Sequence, residues 1–198
     1  MSMSRQYDVI GVQEYSSIAA GVEALDAMVK AAPVEVITTR VVEPGKLVIL
    51  ITGDVASVEA GLVGGKAGRG GDLLDELFLP NLEAQVIPAL RGQARSGEWD
   101  ALGIIESLSV AAGIEAADAA AKASGVRVVE IRLAGGMGGK STVKLMGSIH
   151  EVEAGMAAGV RVVRGKGLLC REVIIANPHP DIREHVLDLP HEGMGVWK

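Results

Sequence analysis

The sequence predicts an α+β fold made of two tandem ferredoxin-like domains, each with the order β-α-β-β-α-β. The main observation is an internal repeat, in which the chain aligns with itself at an offset of roughly 92 residues. The second is that hydrophobic periods typical of strands and helices alternate in the same order in both copies. Residues identical in the two copies include Gly11/Gly103, Glu14/Glu106, Ser17/Ser109, Asp26/Asp118, Lys30/Lys122 and Arg40/Arg132.

The repeat also sets the predicted domain bounds. The first domain is expected at residues 7–92 and the second at 101–190. A polar linker is expected at 93–100 and a short tail at 191–198. Each domain is therefore expected to hold one complete set of four strands and two main helices.

The first strand and first helix of each copy follow from local signals. A short apolar run, at 9–12 or 101–105, leads into Ser17 or Ser109, and serine is a favoured helix N-cap. Pro33 or Gly125 ends the helix. In the first copy four large apolar residues recur at helical spacing, and small alanines occupy another face. We expect the sheet and a neighbouring helix to cover these two faces; the large residues are Ile18, Val22, Leu25 and Val29.

The remaining elements repeat in the same way. Two β-rich runs flank a turn in each copy, at 34–42 and 47–52 and again at 126–133 and 142–146. Asp54 and Ser148 are predicted to cap the second helices, at about 55–66 and 149–163. The last strands are expected at 73–79 and 168–175, each followed by a short helix or tail.

The composition restricts the possible functions. The 198-residue chain is 48% hydrophobic but only 3% aromatic, with 26 glycines, which is typical of a core of small side chains. A formal charge of -6 argues against nucleic acid or an anionic membrane as a partner. No apolar stretch reaches the ~20 residues that span a bilayer. The single cysteine, Cys170, excludes an intrachain disulfide framework and favours a reducing compartment.

Several motifs resemble those of a known family. The run Ala-Leu-Gly-Ile-Ile-Glu at 101–106, followed by Ala-Ala-Asp at 116–118 and Lys-Ala at 122–123, resembles the opening of a bacterial microcompartment shell domain. Two unpermuted copies in one chain resemble the tandem-domain class of these shell proteins. Motifs at 43–46, 79–89 and 136–140 are most similar to the tandem shell proteins of propanediol-utilisation organelles.

The resemblance implies a structural protein without catalytic residues, located in a microcompartment shell in the cytoplasm. Such chains assemble as homotrimers shaped like hexamers, together with other shell proteins and around enclosed enzymes. A central pore admits small molecules, and three copies of Glu43 would favour cations or neutral polar metabolites over anions. The pore-lining residues implied are Val42, Glu43, Pro44, Gly45, Gly136, Met137 and Gly138. The residues implied at the tile edge are Lys30, Lys122, Asn81 and Asn177.

The sequence departs from the family at the pore. The propanediol-organelle members hold an iron–sulfur cluster through a cysteine placed directly before Pro-Gly-Lys, whereas this chain has Glu43 there. A carboxylate substitutes poorly for a thiolate, so no cofactor and no metal site are predicted. An electron-transfer or metal-binding pore, with a cluster or cation on the three-fold axis, is the alternative function. A small-ligand sensor on the same scaffold is a third.

Three other features of the sequence bear on possible chemistry. The run Ala134–Ser141 loosely fits a phosphate-binding loop, but alternating β-branched residues follow it, so a flexible hairpin is favoured over a nucleotide site. His179, His185 and His191 are interpreted as part of a solvated tail rather than as metal ligands. Cys170 is predicted to be a small buried apolar residue.

Overall fold

A computed structural model describes residues 7–94, 98–134 and 137–187. By internal contacts the chain divides into two compact units. The first unit comprises residues 7–41 and 45–84, and the second comprises 42–44 and 85–187. The structure thus separates the units between Ala84 and Gln85, within the predicted first domain. The predicted bounds of domains, linker and tail stay a prediction, and the tail lies outside the described residues.

The first unit has the predicted β-α-β-β-α-β order. Its sheet is arranged β2-β3-β1-β4, with the central β1 antiparallel to both β3 and β4. Its elements are β1 Ile10–Tyr15, α1 Ile18–Ala31, β2 Glu35–Val42, β3 Lys46–Thr52, α2 Val55–Lys66 and β4 Leu73–Leu79. This arrangement confirms the ferredoxin-like prediction for the first copy.

The second unit repeats the first and begins with an additional short helix. Its sheet order is β6-β7-β5-β8, with β5 antiparallel to β7 and β8. Its elements are α3 Val86–Leu90, β5 Ala101–Ser107, α4 Val110–Ala123, β6 Arg127–Leu133, β7 Ser141–Gly147, α5 Ile149–Gly165, β8 Leu169–Ala176 and α6 Ile182–Leu187. The predicted fold class is therefore confirmed in both copies.

The four predicted N-caps are all present. The Ser17 and Ser109 hydroxyls accept from the backbone amides of Ala20 and Ala112, three residues further on. Asp54 accepts from both the Ser57 hydroxyl and the Ser57 amide, and these hydrogen bonds lower the pKa of its carboxyl. Local capping signals thus predicted the starts of all four main helices.

The prediction for the first helix face was wrong. Gly21, Ala24 and Met28 form the buried face of α1. Ile18, Val22 and Val29 are exposed and Leu25 is half-buried, whereas both faces of this helix were expected to be covered, one by the sheet and one by a neighbouring helix. The reason is close packing on the small face, since a Cβ added at Gly21 would lie 2.7 Å from the Leu47 side chain.

The second unit begins with a short segment that follows β4 in the chain. Helix α3 packs against β6, and the residue before it, Gln85, supplies a strand-like pair of hydrogen bonds. Its Nε2 donates to the Val126 carbonyl at 3.3 Å, and its Oε1 accepts from the Val128 amide at 3.1 Å. One side-chain amide therefore satisfies part of the exposed edge of β6.

The first unit contains a buried polar network in its core. Gln13 Nε2 donates to the Leu62 carbonyl at 2.8 Å and to Glu76 at 2.5 Å. The Tyr15 hydroxyl donates to Gln13 Oε1 at 2.7 Å. Burial raises the pKa of Tyr15 to about 12, so its hydroxyl stays a donor well into the alkaline range. The network ties the central strand to α2 and β4.

The second unit contains a buried ion pair that the first unit lacks. Lys144 Nζ lies 2.6 Å from a carboxylate oxygen of Glu130, and both side chains are almost fully buried. Lys144 also donates to the Val186 carbonyl in α6 at 2.5 Å. The equivalent residues of the first unit are Thr38 and Leu50. The ion pair therefore links α6 to the sheet beneath it.

We expect Lys144→Met to lower the free energy of unfolding by about 3–5 kcal/mol, because it leaves the buried Glu130 carboxylate without its closest cation. Glu130→Leu/Lys144→Met should recover part of that loss, since neither member of the close pair is then left facing a missing partner, although Arg132 loses its 3.8 Å contact with Glu130. Denaturant unfolding followed by circular dichroism measures both. Arg164→Met breaks an exposed pair with Glu172 and is the control, with an expected loss under about 1 kcal/mol. Equal losses for Lys144→Met and Arg164→Met would contradict this account.

Candidate functional site: two hairpin turns

The first turn joins β2 to β3 through Glu43, Pro44 and Gly45. Gly45 has a φ of +102°, which favours glycine, and the Glu43–Pro44 peptide bond is cis. Glu43 and Pro44 are exposed, whereas Val42 is buried. Of the predicted pore-lining residues in this turn, Glu43 therefore presents the only ionisable side chain.

The second unit carries the equivalent turn, between β6 and β7.

The second turn joins β6 to β7 and is longer. The Ala134 amide donates to the Lys140 carbonyl at 2.8 Å, and the Lys140 amide donates to the Met137 carbonyl at 3.3 Å. Gly138 and Gly139 have positive φ values of 61° and 86°. Met137 is half-buried and Gly138 is exposed, whereas the predicted pore residue Gly136 lies outside the described residues.

A glutamate–lysine pair lies at the base of each turn. Lys46 Nζ is 2.8 Å from Glu14 Oε1 in the first unit. Lys140 Nζ is 3.8 Å from Glu106 Oε2 in the second. Sequence reasoning missed both pairs, although a charged residue repeated within an apolar strand of both copies was a usable signal.

The phosphate-loop alternative does not fit this geometry. A phosphate loop opens directly into a helix, whereas Ser141 begins strand β7. The buried Ser141 hydroxyl donates to the Ser109 carbonyl at 2.8 Å, so it faces the core rather than a ligand. The favoured prediction of a hairpin is confirmed.

The residues of the turns do not fit an iron–sulfur cluster. Cluster iron is held by thiolates, and the first turn carries Glu43. The chain's single cysteine lies in β8. Within the part of the chain that the structure describes, no group of three or more His, Cys, Asp or Glu side chains is arranged to hold a metal ion.

The prediction that Cys170 is buried was wrong, because it is half-buried on the edge strand β8. His179 and His185 are exposed, as expected for a solvated segment. His179 Nδ1 lies 3.6 Å from Asp181. His191 lies outside the described residues.

The predicted tile-edge lysines occupy equivalent places in the two units. Lys30 is in the last turn of α1 and pairs with Asp26 at 2.5 Å. Lys122 is in the last turn of α4 and pairs with Asp118 at 2.6 Å. An aspartate one helical turn earlier thus orients each lysine.

The predicted edge asparagines follow the last strand of each unit. Asn81 is exposed, two residues after β4. Asn177 directly follows β8, has a φ of +47° and donates its backbone amide to the Asp100 carbonyl at 2.8 Å. Asparagine tolerates this left-handed conformation better than most residues.

These features define a class of protein: a tandem pair of sheet-and-helix domains with exposed turns and repeated helix-end lysines. The family model described as BMC domain matches this chain twice, at residues 9–82 and 101–178. The chain belongs to the BMC-domain family.

Known relatives support the same conclusion. The chain is 37% identical over 179 residues to the bacterial microcompartment shell protein PduT of Citrobacter freundii, covering 90% of this chain and 97% of PduT. It is 41% identical over 91 residues to the carboxysome shell protein CcmK1 of Thermosynechococcus vestitus, covering 45% of this chain and 78% of CcmK1. A solved microcompartment protein from Desulfitobacterium hafniense superposes with a TM-score of 0.79 at 43% identity, covering 90% of this chain and 99% of that one.

The protein is therefore a structural component of a bacterial microcompartment shell and not an enzyme. It acts with other shell proteins, which together form the microcompartment coat. Among the described residues, each helix is too short or too polar to cross a bilayer.

Proposed function

We propose that three copies of this chain form a pseudohexameric tile around a central pore for small molecules. The observation that carries the proposal is a difference in burial between equivalent positions of the two units. Four apolar residues of the first unit are between 37% and 63% exposed, but their equivalents in the second unit are 2% exposed or less. The pairs are Ile18/Val110, Val22/Ile114, Val36/Val128 and Val41/Leu133.

The opposite difference occurs along the last strands. Leu77 in β4 is buried, whereas its equivalent in β8, Val173, is exposed. Val12 beside Leu77 is fully buried, and its equivalent Ile104 is only half-buried. Each unit therefore exposes a surface whose equivalent in the other unit is buried.

Two different exposed surfaces on one chain support head-to-tail association. The first-unit residues around Val22 could pack against the β8 side of another copy. Such a contact would remove both apolar surfaces from water. A contact of this kind is heterologous and forms a closed ring when its rotation closes. Because each chain has two similar domains, a ring that closes with three chains is a tile with six corners.

We expect Val22→Lys to prevent trimer formation, because it places a charge within an apolar contact surface. Native mass spectrometry should then show single chains of 20.5 kDa where the unaltered protein shows three times that mass. Val63→Lys is the matched control, since Val63 is equally exposed and its equivalent, Ala157, is exposed as well. A trimeric Val22→Lys protein would argue against this surface.

The central pore is proposed to be lined by the two turns. In a trimer with its first turns at the axis, three Glu43 carboxylates would surround the opening. Closely spaced carboxylates attract cations and repel anions. Pro44, Gly45, Met137 and Gly138 offer no charge to offset them. Cations and neutral polar molecules are the species proposed to pass through the pore.

Glu43→Gln should lower the cation-to-anion permeability ratio of tiles in planar bilayers by roughly threefold or more, because the ring loses its charge. Reversal potentials in a salt gradient measure this ratio. Glu59→Gln removes an exposed carboxylate from α2 and serves as the control. An unchanged permeability ratio for Glu43→Gln would show that Glu43 does not line the pore.

The tile edges are proposed to use Lys30 and Lys122 with Asn81 and Asn177. The two lysines occupy the same helical position in each unit and are held by neighbouring aspartates. Such repetition suits a contact made at successive edges of a six-cornered tile. Enzymes enclosed by the shell are proposed as additional partners.

Lys30→Gln/Lys122→Gln should abolish extended sheets of tiles but leave trimers intact, because it removes the proposed edge charges without placing a second carboxylate beside Asp26 or Asp118. Electron microscopy scores the sheets, and native mass spectrometry scores the trimers. Val63→Glu adds a surface charge without altering either lysine and should assemble normally. Sheets of normal extent from the double variant would contradict the edge assignment.

A further inference from the structure

The two glutamate–lysine pairs occupy the same place in the sheet. Glu14 lies opposite Val48, and Lys46 is two residues before Val48. Glu106 lies opposite Thr142, and Lys140 is two residues before Thr142. Both pairs are therefore diagonal cross-strand neighbours on one sheet face, within reach of long side chains. Each lysine directly follows the turn that is proposed to line the pore.

The two pairs differ strongly in their surroundings. In the first unit the side chains of Glu14 and Lys46 are 1% and 17% exposed and 2.8 Å apart. In the second unit those of Glu106 and Lys140 are 37% and 45% exposed and 3.8 Å apart. The two units thus contain the same glutamate–lysine pair in two forms. One is buried with a short nitrogen–oxygen distance, and the other is partly exposed with a longer distance.

Solvent and salt act differently on the two pairs. A buried pair is little screened, whereas an exposed pair weakens as the Debye length falls to about 3 Å at 1 M salt. Removal of Lys46 would also leave the Glu14 carboxylate in a buried site. The first pair is therefore part of the folded core, and the second contributes a modest, salt-dependent restraint.

We propose that these four residues are positioning residues for the pore turns, and that the second turn is the salt-sensitive one. Glu14 and Lys46 hold the first turn, which bears Glu43, in one place at any ionic strength. Glu106 and Lys140 restrain the second turn only at low to moderate salt. This proposal rests on the pore function proposed above.

Amide hydrogen exchange on the full chain tests the proposal at two amides of the second turn. Ala134 and Lys140 donate to the Lys140 and Met137 carbonyls, so their exchange reports opening of that turn. Exchange at both should be roughly threefold to fivefold faster in 1 M than in 0.05 M salt. Glu106→Gln should produce the same acceleration already at low salt. Glu106→Lys/Lys140→Glu, which restores an opposite-charge pair, should return exchange to within about twofold of the original.

A matched control is available on the neighbouring strand. Glu172 is similarly exposed, at 41%, and pairs with Arg164 at 2.8 Å. Glu172→Gln should leave exchange at Ala134 and Lys140 unchanged. Salt-independent exchange at these amides, or equal acceleration by Glu172→Gln and Glu106→Gln, would overturn the proposal.

A second readout separates positioning from general stability. Glu106→Gln should alter the permeability ratio of the tile while its unfolding midpoint and trimer mass stay unchanged. If the loss in free energy of unfolding equals the free-energy change calculated from the exchange rates, Glu106 acts only on overall stability and is not a positioning residue. Native mass measured on the same samples reports the trimer independently, so failure to assemble is distinguished from failure of the restraint.

Discussion

The close approach of helices and sheet, made possible by small residues, is the constraint on which the rest of this structure depends. A Cβ at Gly11 would lie 2.9 Å from Val58, and one at Gly64 would lie 2.7 Å from the Ala31 Cβ. Helices packed this closely bury their small faces and leave larger apolar residues such as Val22 outward. The first unit therefore leaves part of its apolar surface uncovered, which is the surface proposed to be buried on assembly.

The internal duplication allows physical comparisons within one molecule. Equivalent residues share their backbone setting, so differences between them report the surroundings. Val22 and Ile114 occupy the same helical position, yet one is exposed and the other is buried. Thr38 and Leu50 correspond to Glu130 and Lys144 in the second copy, where Lys144 also contacts α6. The two copies have thus kept the fold while diverging in what their surfaces contact.

The sequence was sufficient to predict most of the fold, because its signals were local. Serine and aspartate caps, turn glycines and hydrophobic period together located the four main helices and eight strands. The outward face of α1 was predicted wrongly because Ile18 and Val22 have the period of a core face. Periodicity reports that a surface is apolar, but it does not report whether the sheet or another protein covers it.

The candidate site was less accessible to prediction, for a similar reason. The turn residues could be located from Pro44 and Gly45, but the diagonal partners of Lys46 and Lys140 depend on strand register, which no single segment encodes. The resemblance to shell proteins supplied roles for Glu43 and for the helix-end lysines.

The contact of Gln85 with the β6 edge has a consequence for assembly of the proposed ring. Because α3 and β6 belong to one chain, the entropy of bringing that segment and its strand together is largely removed by the peptide chain. A ring of three such chains would need half the encounters that six single-domain chains would need, and its alternate corners would be free to acquire different chemistry.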